Sequence, residues 1–506
     1  MKKFPILASV LLTVSFTAAA QHHTTSTSSV PTGTDLGEIS FPTSGPTEAQ
    51  SHFIRGVLLL HSFEYGSARA AFAEASRIAP GFAMAYWGEA MTHDHRIWGE
   101  QDRSAGLAAL SRLASTAAER RAKAKTDREK MYLDAVEKLY QDGAQEEVAS
   151  AYSEAMGALA RRFPNDLEAK SLHALSILGL TGVTRNTGNY MRAAAIAEEV
   201  YAANPKHPGA LHYLIHAYDD PTHAPLGLRA ARVYGSVAKG ASHAQHMPSH
   251  IFFALGMWED SIKANTDSMN TARSSGGGGY HPLHWLEHAY LQAGNEAEAA
   301  KLVAIVENDV RTNPSRGGRS HLAMVRATFL VEAKGEFPAS MLDPVDTTGF
   351  ASQLEFAGHD LAIGLAQIRK KDVAAAKVAL ASLRGRIEAD SKRVGSNGSS
   401  RYDTVSRAQI EVGRVMEMVL DSAIDMAEGN SESAVRKAKA AAESEDRLVF
   451  EYGPPATVKP PWEAVGEIYL QLKKPKEATD AFRRALERYP NRRLSNEGIR
   501  AAEKLN

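Results

Sequence analysis

Residues 462–490 read WEAVGEIYLQLKKPKEATDAFRRALERYP, and the spacing inside this stretch decides the fold. Trp462, Val465, Gly466 and Tyr469 step by three or four, as do Ala478, Phe482 and Ala485, so each set marks one face of a helix. Lys473, Lys474 and Pro475 separate the two faces, and Pro490 ends the second. Small residues at 466 and 478 let two helices approach, while Tyr469 and Phe482 are large enough to fill the gap to a neighbouring pair.

This pattern resembles the tetratricopeptide (TPR) repeat. Its register transfers upstream to Gly56, Ala68, Phe72, Ala75 and Pro80, and to Ala193 and Pro205. Gly256 and Trp258 mark the inter-helix turn of LGMWEDSI, Gly294 that of QAGNEAEA, and Leu365 and Ala374 fit in LAQIRKKDVAAA. The resemblance covers most of residues 50–506 and implies an all-α, TPR-type α-solenoid of antiparallel helix pairs. The stretches 102–162 and 391–460 do not keep the register. Segments such as FEYGSARAAFAEASRIAPGFAMAYWGEAM, LHYLIHAYDDPTHAP, HAQHMPSHIFFALGMW and EYGPPATVKPPWEAVGE are similar to a recurrent group of exported bacterial TPR-containing proteins. That similarity bears on fold and site placement rather than on a reaction.

At the other end, Lys2 and Lys3 precede a short apolar run from Ile6 to Phe16 and the small residues Ala18-Ala19-Ala20. This is the pattern of a secretory signal peptide over residues 1–20, cleaved after Ala20, and it places the mature protein in the periplasm or outside the cell. The run is too short to span a bilayer, which needs about 20 apolar residues, and no later segment qualifies. Residues 21–48, rich in Thr, Ser, Pro and Gly, read as a disordered linker. A TPR-like array with a histidine-lined groove is expected over 49–390. A polar linker (391–404) and a C-terminal helical segment (405–506) follow, so two arrays meet at the linker.

Composition removes several functions. The chain of 506 residues has a net charge of −1, so there is no electrostatic case for nucleic acid. It has no cysteine, so a transition-metal site must use nitrogen and oxygen ligands. Gly276 to Gly279 lack the Gly-Lys-Ser/Thr of a phosphate loop, and neither G-x-S-x-G nor HExxH occurs.

Histidine is what remains. Nine of the 19 histidines fall between residues 212 and 288. Three pairs spaced four apart, His212/His216, His246/His250 and His284/His288, recur in repeat register. Extending each helical stripe adds Asp219 to the first repeat, His243 to the second and His281 to the third. In TPR proteins generally this stripe faces the concave groove. Side chains four apart on a helix lie about 5–6 Å apart at Cβ, and packed helix axes about 8–10 Å apart, so neighbouring helices can complete one coordination shell. The metal candidates are therefore His212, His216, Asp219, His243, His246, His250, His281, His284 and His288, with Zn, Cu or Fe as the expected cofactor. Asp219 is expected to ligate, with Asp220 as the residue that orients an imidazole. Pro248 implies either a kink or a helix start between His246 and His250.

Three functions fit these residues. One is an exported binding or scaffold protein that holds a transition metal and docks a protein or peptide partner. Another is a hydrolytic or oxygen-activating metalloenzyme with Gly276 to Gly279 as a mobile edge. The last is a metal-free interaction module whose histidines line a peptide cleft.

Overall fold

The computed structural model describes residues 35–505 apart from 182–184, 395–404 and 451. The signal-peptide segment, most of the polar linker and the first part of the N-terminal spacer lie outside these residues. The described chain is a succession of helices, with one two-residue antiparallel ribbon, Asp94–His95 with Glu100–Gln101, and an isolated bridge between Val394 and Val405. Consecutive helices joined by tight turns pack on one another, which gives the TPR-type α-solenoid that the repeat register implies.

The repeat unit shows its physical basis twice. Phe72, fully buried, lies against Gly56 of the helix before it and Gly88 of the helix after it. A Cβ at either glycine would stand 2.6 or 2.3 Å from the Phe72 ring. Phe482 repeats the arrangement with Gly466 and Gly498, at 2.7 and 2.3 Å. One aromatic ring therefore fills the space that two small residues open, and the close helix approach follows from both.

Residues 35–46 differ from the disordered spacer expected of them. Leu36 and Phe41 are buried, and Phe41 meets Phe53 and Trp87 edge-on at 5.2 and 5.6 Å. The Ser44 amide and hydroxyl donate to the Glu129 carboxylate at 2.6 and 2.8 Å. Two apolar side chains with a place in the core outweigh a polar local composition.

The end of the chain returns to the middle. The Trp258 indole donates to the Asn491 carbonyl at 3.0 Å, and the Asn491 amide donates to the Gly256 carbonyl at 2.9 Å. Gly256 has φ +65°, and a Cβ there would lie 2.5 Å from the Pro490 carbonyl oxygen, so only glycine permits this contact. Arg492, 1% exposed, bridges Glu332 at 2.5 Å and Glu463 at 2.8 Å. The helices on either side of the expected linker, Val373–Ser391 and Arg407–Ala427, also pack together.

Candidate metal centre

Four helical segments carry the imidazoles. Pro208–Ala217 holds His212 and His216, and begins on His207, whose Nδ1 accepts the Ala210 amide at 3.1 Å. Ser242–His246 holds His243 and His246, and Pro248–Ala254 holds His250. Pro248 thus starts a new helix, as its missing N–H favours. Met247 keeps helical backbone angles (φ −52°, ψ −37°), so the His246 and His250 rings still meet, 5.0 Å apart. Tyr280–Gln292 holds His281, His284 and His288.

Two three-imidazole groups result. In one, His212, His216 and His243 each offer a nitrogen within 4.8 Å of the others, and in the second His246, His250 and His281 do so. The groups adjoin: the His216 and His250 ring centroids are 6.0 Å apart, and those of His243 and His246 are 6.3 Å apart.

Hydrogen bonding fixes the tautomers in the second group. The Asn265 amide nitrogen donates to the Ser261 carbonyl at 2.9 Å, so its Oδ1 faces His246 and accepts from Nδ1 at 2.7 Å. Nδ1 of His250 donates to the Asp219 carboxylate at 2.6 Å. With both Nδ1 atoms committed as donors, the neutral rings turn their Nε2 lone pairs toward each other across 3.1 Å. Nε2 of His281 joins at 3.0 Å from that of His246. Three nitrogens on a tetrahedral zinc at about 2.0–2.1 Å would stand about 3.3 Å apart. In the first group, His212 Nδ1 donates to the His61 carbonyl at 2.6 Å, and the buried Nε2 atoms of His212 and His216 have no hydrogen-bond partner.

Burial, followed by the neighbouring imidazoles, pushes His212, His216, His246 and His281 well below the usual histidine pKa. Neutral imidazole is the form that ligates metal. Aromatic rings close the site. Trp285 stacks on His250 at 4.6 Å, Tyr452 packs on its other side at 4.6 Å, and Phe63 lies 4.2 Å from His212. The imidazoles are therefore mostly interior, not displayed on an open groove.

Several expectations require correction. His284 and His288 join neither group. His281 meets His246 and Trp285 stacks on His250, while His284 is turned about 60° around the helix from His281 and His288, nearly in line with His281, stands about 10.5 Å further along it. His284 Nε2 instead meets the Thr328 hydroxyl at 3.0 Å, and His288 packs against Phe253 and Trp258. Asp219 orients His250 instead of standing among the grouped ligand atoms, and Asp220 serves Arg185 and His223. The glycine loop forms no edge of the site: Arg273 holds the Gly278 carbonyl at 3.0 Å.

A third set, His61, Glu168 and His207, is also close enough to hold an ion but is already satisfied. His207 Nε2 donates to Glu168 at 3.1 Å, His61 Nε2 to its other oxygen at 2.7 Å, and the Tyr213 hydroxyl donates to His61 Nδ1 at 2.9 Å. Burial alone would raise the Glu168 pKa, yet the His207 and His61 imidazoles bring it down to about 2. Sequence reading places neither His61 nor His207 among the metal candidates. It gave no sign of Glu168 or Asn265, whose neighbours have no common local pattern.

No family model matches the chain, and no curated protein matches it in sequence. Among solved structures the chain is similar to the APC/C hetero-tetramer Cut9–Hcn1, at 12% identity over 91% of this chain and 78% of that one, with a TM-score of 0.35. It is also similar to yeast Tom70, at 11% identity over 90% and 88% with a TM-score of 0.30. A monomeric IFIT1 mutant with Gppp-AAAA gives 12% identity over 92% and 96%, with a TM-score of 0.38. Fold and site together define the class: an all-α solenoid of TPR-type helix pairs with two adjoining three-imidazole groups inside it. No helix among the described residues is long and apolar enough to cross a membrane.

Proposed function

We propose that this is an exported TPR-type scaffold that holds transition-metal ions, Zn, Cu or Fe, in its histidine-lined interior. One ion is assigned to His246, His250 and His281, and a second to His212, His216 and His243. The repeat framework around them is read as the docking surface for a protein or peptide partner.

One observation carries the metal assignment. The Nε2 lone pairs of His246 and His250 face each other at 3.1 Å inside the protein, with both Nδ1 protons already used. Two buried acceptors at that separation repel unless a cation lies between them. Asp219 and Asn265 then play the part of the groups that orient metal-bound imidazoles through the second ring nitrogen. Metal analysis of the purified mature protein tests the assignment, with His250→Ala and His216→Ala each expected to lose about one ion. Metal content that is the same in wild type and both variants sinks it. Partner capture with and without a chelator separates a metal-dependent scaffold from a metal-free module.

Catalysis at the same centre is the second reading. Three protein nitrogens per ion leave a coordination position open, and His281 also borders a cavity. A hydrolytic or oxygen-consuming turnover that His250→Ala abolishes would establish it.

A further inference from the structure

Beside His281 lies a cavity of about 170 Å³, walled by the helices Tyr280–Gln292, Arg316–Glu332 and Arg407–Ala427 and by residues 354–359 and 452–458. Sequence reading gave no sign of it, because its walls come from segments up to some 170 residues apart. The Gly453 backbone, at φ +95°, comes so close to Trp285 that a Cβ would stand 2.4 Å from the ring. A glycine here lets residues 452–458 close over the cavity.

The size is informative. An apolar cavity of about 150 Å³ takes up one benzene ring, so this one has room for a single-ring molecule. Its walls are soft and apolar, with Met324, Leu354, Met416, Pro454 and Val458. Methionine sulfur and proline both pack well on aromatic rings. Polar groups interrupt this lining, chiefly imidazoles with Gln409, Tyr452 and the His284–Thr328 pair, linked at 3.0 Å.

We infer that this cavity binds a small, uncharged aromatic molecule of about one ring carrying a hydroxyl-type group, presented edge-on to His281. No lysine or arginine is among the described residues that line the cavity. His284 is kept neutral, with burial pushing its pKa down to about 3, and the one carboxylate on the wall, Glu355, is partnered by Arg316. In the metal-free protein a carboxylate or phosphate ligand would therefore enter without a counter-charge. Presentation of the ring to a metal at His281 rests on the metal assignment above, whereas occupancy of the cavity does not.

Phenol is the probe, with benzoate as its charged counterpart, titrated calorimetrically into the full mature protein with and without metal. Phenol is expected to bind with Kd of about 1 mM or tighter, and benzoate at least about tenfold more weakly. Ala327→Phe fills the cavity from a helix and Ala456→Phe from the loop. Each is expected to weaken phenol about tenfold or more while leaving metal content unchanged. The loop variant keeps the test open if the helix variant does not fold. His250→Ala is expected to lose metal and keep phenol binding, which separates failure of the metal assignment from failure of this one. The inference is overturned if phenol does not bind the wild type, if benzoate binds as well, or if a folded filling variant binds phenol undiminished.

Discussion

Two compact sets of ligand-type side chains behave oppositely. His61, Glu168 and His207 form a closed circuit in which every ring nitrogen faces a group of complementary hydrogen-bonding sense. His246, His250 and His281 point their Nε2 atoms at one another, although Asp219 and Asn265 have taken the outward protons of the first two. The ligand atoms are almost equally close in both sets. Proximity therefore does not mark a metal site. The test is whether donors and acceptors alternate without a cation, and only the first set passes it.

Breaking the closed set should have the largest effect. Glu168→Gln leaves two buried imidazoles without their carboxylate and is expected to cost about 3–5 kcal/mol of stability in urea unfolding. A loss below about 1 kcal/mol would mean the circuit is not the structural element described.

The open set should respond to metal instead. Zn(II) or Cu(II) at about a hundred times its Kd is expected to stabilise the wild type by about 2.7 kcal/mol, read as a rise in Tm. His250→Ala should lose much of that gain and His284→Ala should keep it. An equal loss in both variants would show that the grouping on the third helix is misassigned.

A smaller change sharpens the role of Asp219. Asp219→Asn keeps the shape but weakens the hold on His250 Nδ1, so metal affinity should fall about 10–100-fold in competition with a chromophoric chelator. Wild-type affinity would dissociate Asp219 from the site.

The mildest probe is pH. His284 titrates near 3 when folded because of burial, against about 6.5 in the unfolded chain. Between these values the unfolded state binds the extra proton, so stability is intact above about 6.5 and falls by about 1.4 kcal/mol per unit of acidification below it. His284→Gln should reduce the slope of metal-free stability against pH by about one proton. An unchanged slope would mean that His284 is not held neutral by burial.

How much of this was legible depended on whether the signal was local. Gly466, Phe482 and the Trp462–Tyr469 face revealed the helix pair because their contacts lie within one repeat or the next. The three histidine-bearing repeats were legible for the same reason. Which imidazoles converge was not, because on the third helix a turn of about 60° carries His284 off the His281 face and a rise of about 10.5 Å carries His288 past the group. The hydrogen-bond partners were also hidden, since Glu168 lies 107 residues from His61 and Asp219 lies 31 from His250. Phe41 shows the opposite failure, in that a single aromatic residue anchored a stretch whose average composition argued for disorder.

The contact between residues 256–258 and 491 bears on how the molecule comes apart. A linear repeat array unfolds readily from a free end, because its last unit has a neighbour on one side only. Here the Trp258 and Asn491 hydrogen bonds give the last described repeat a second neighbour more than 230 residues back along the chain, and the Arg492–Glu332 ion pair adds a nearer one. Fraying at that end must first break a long-range closure. The last repeats and the helices around His250 should therefore share one late-opening amide-exchange unit, and folding should wait on an encounter between distant segments.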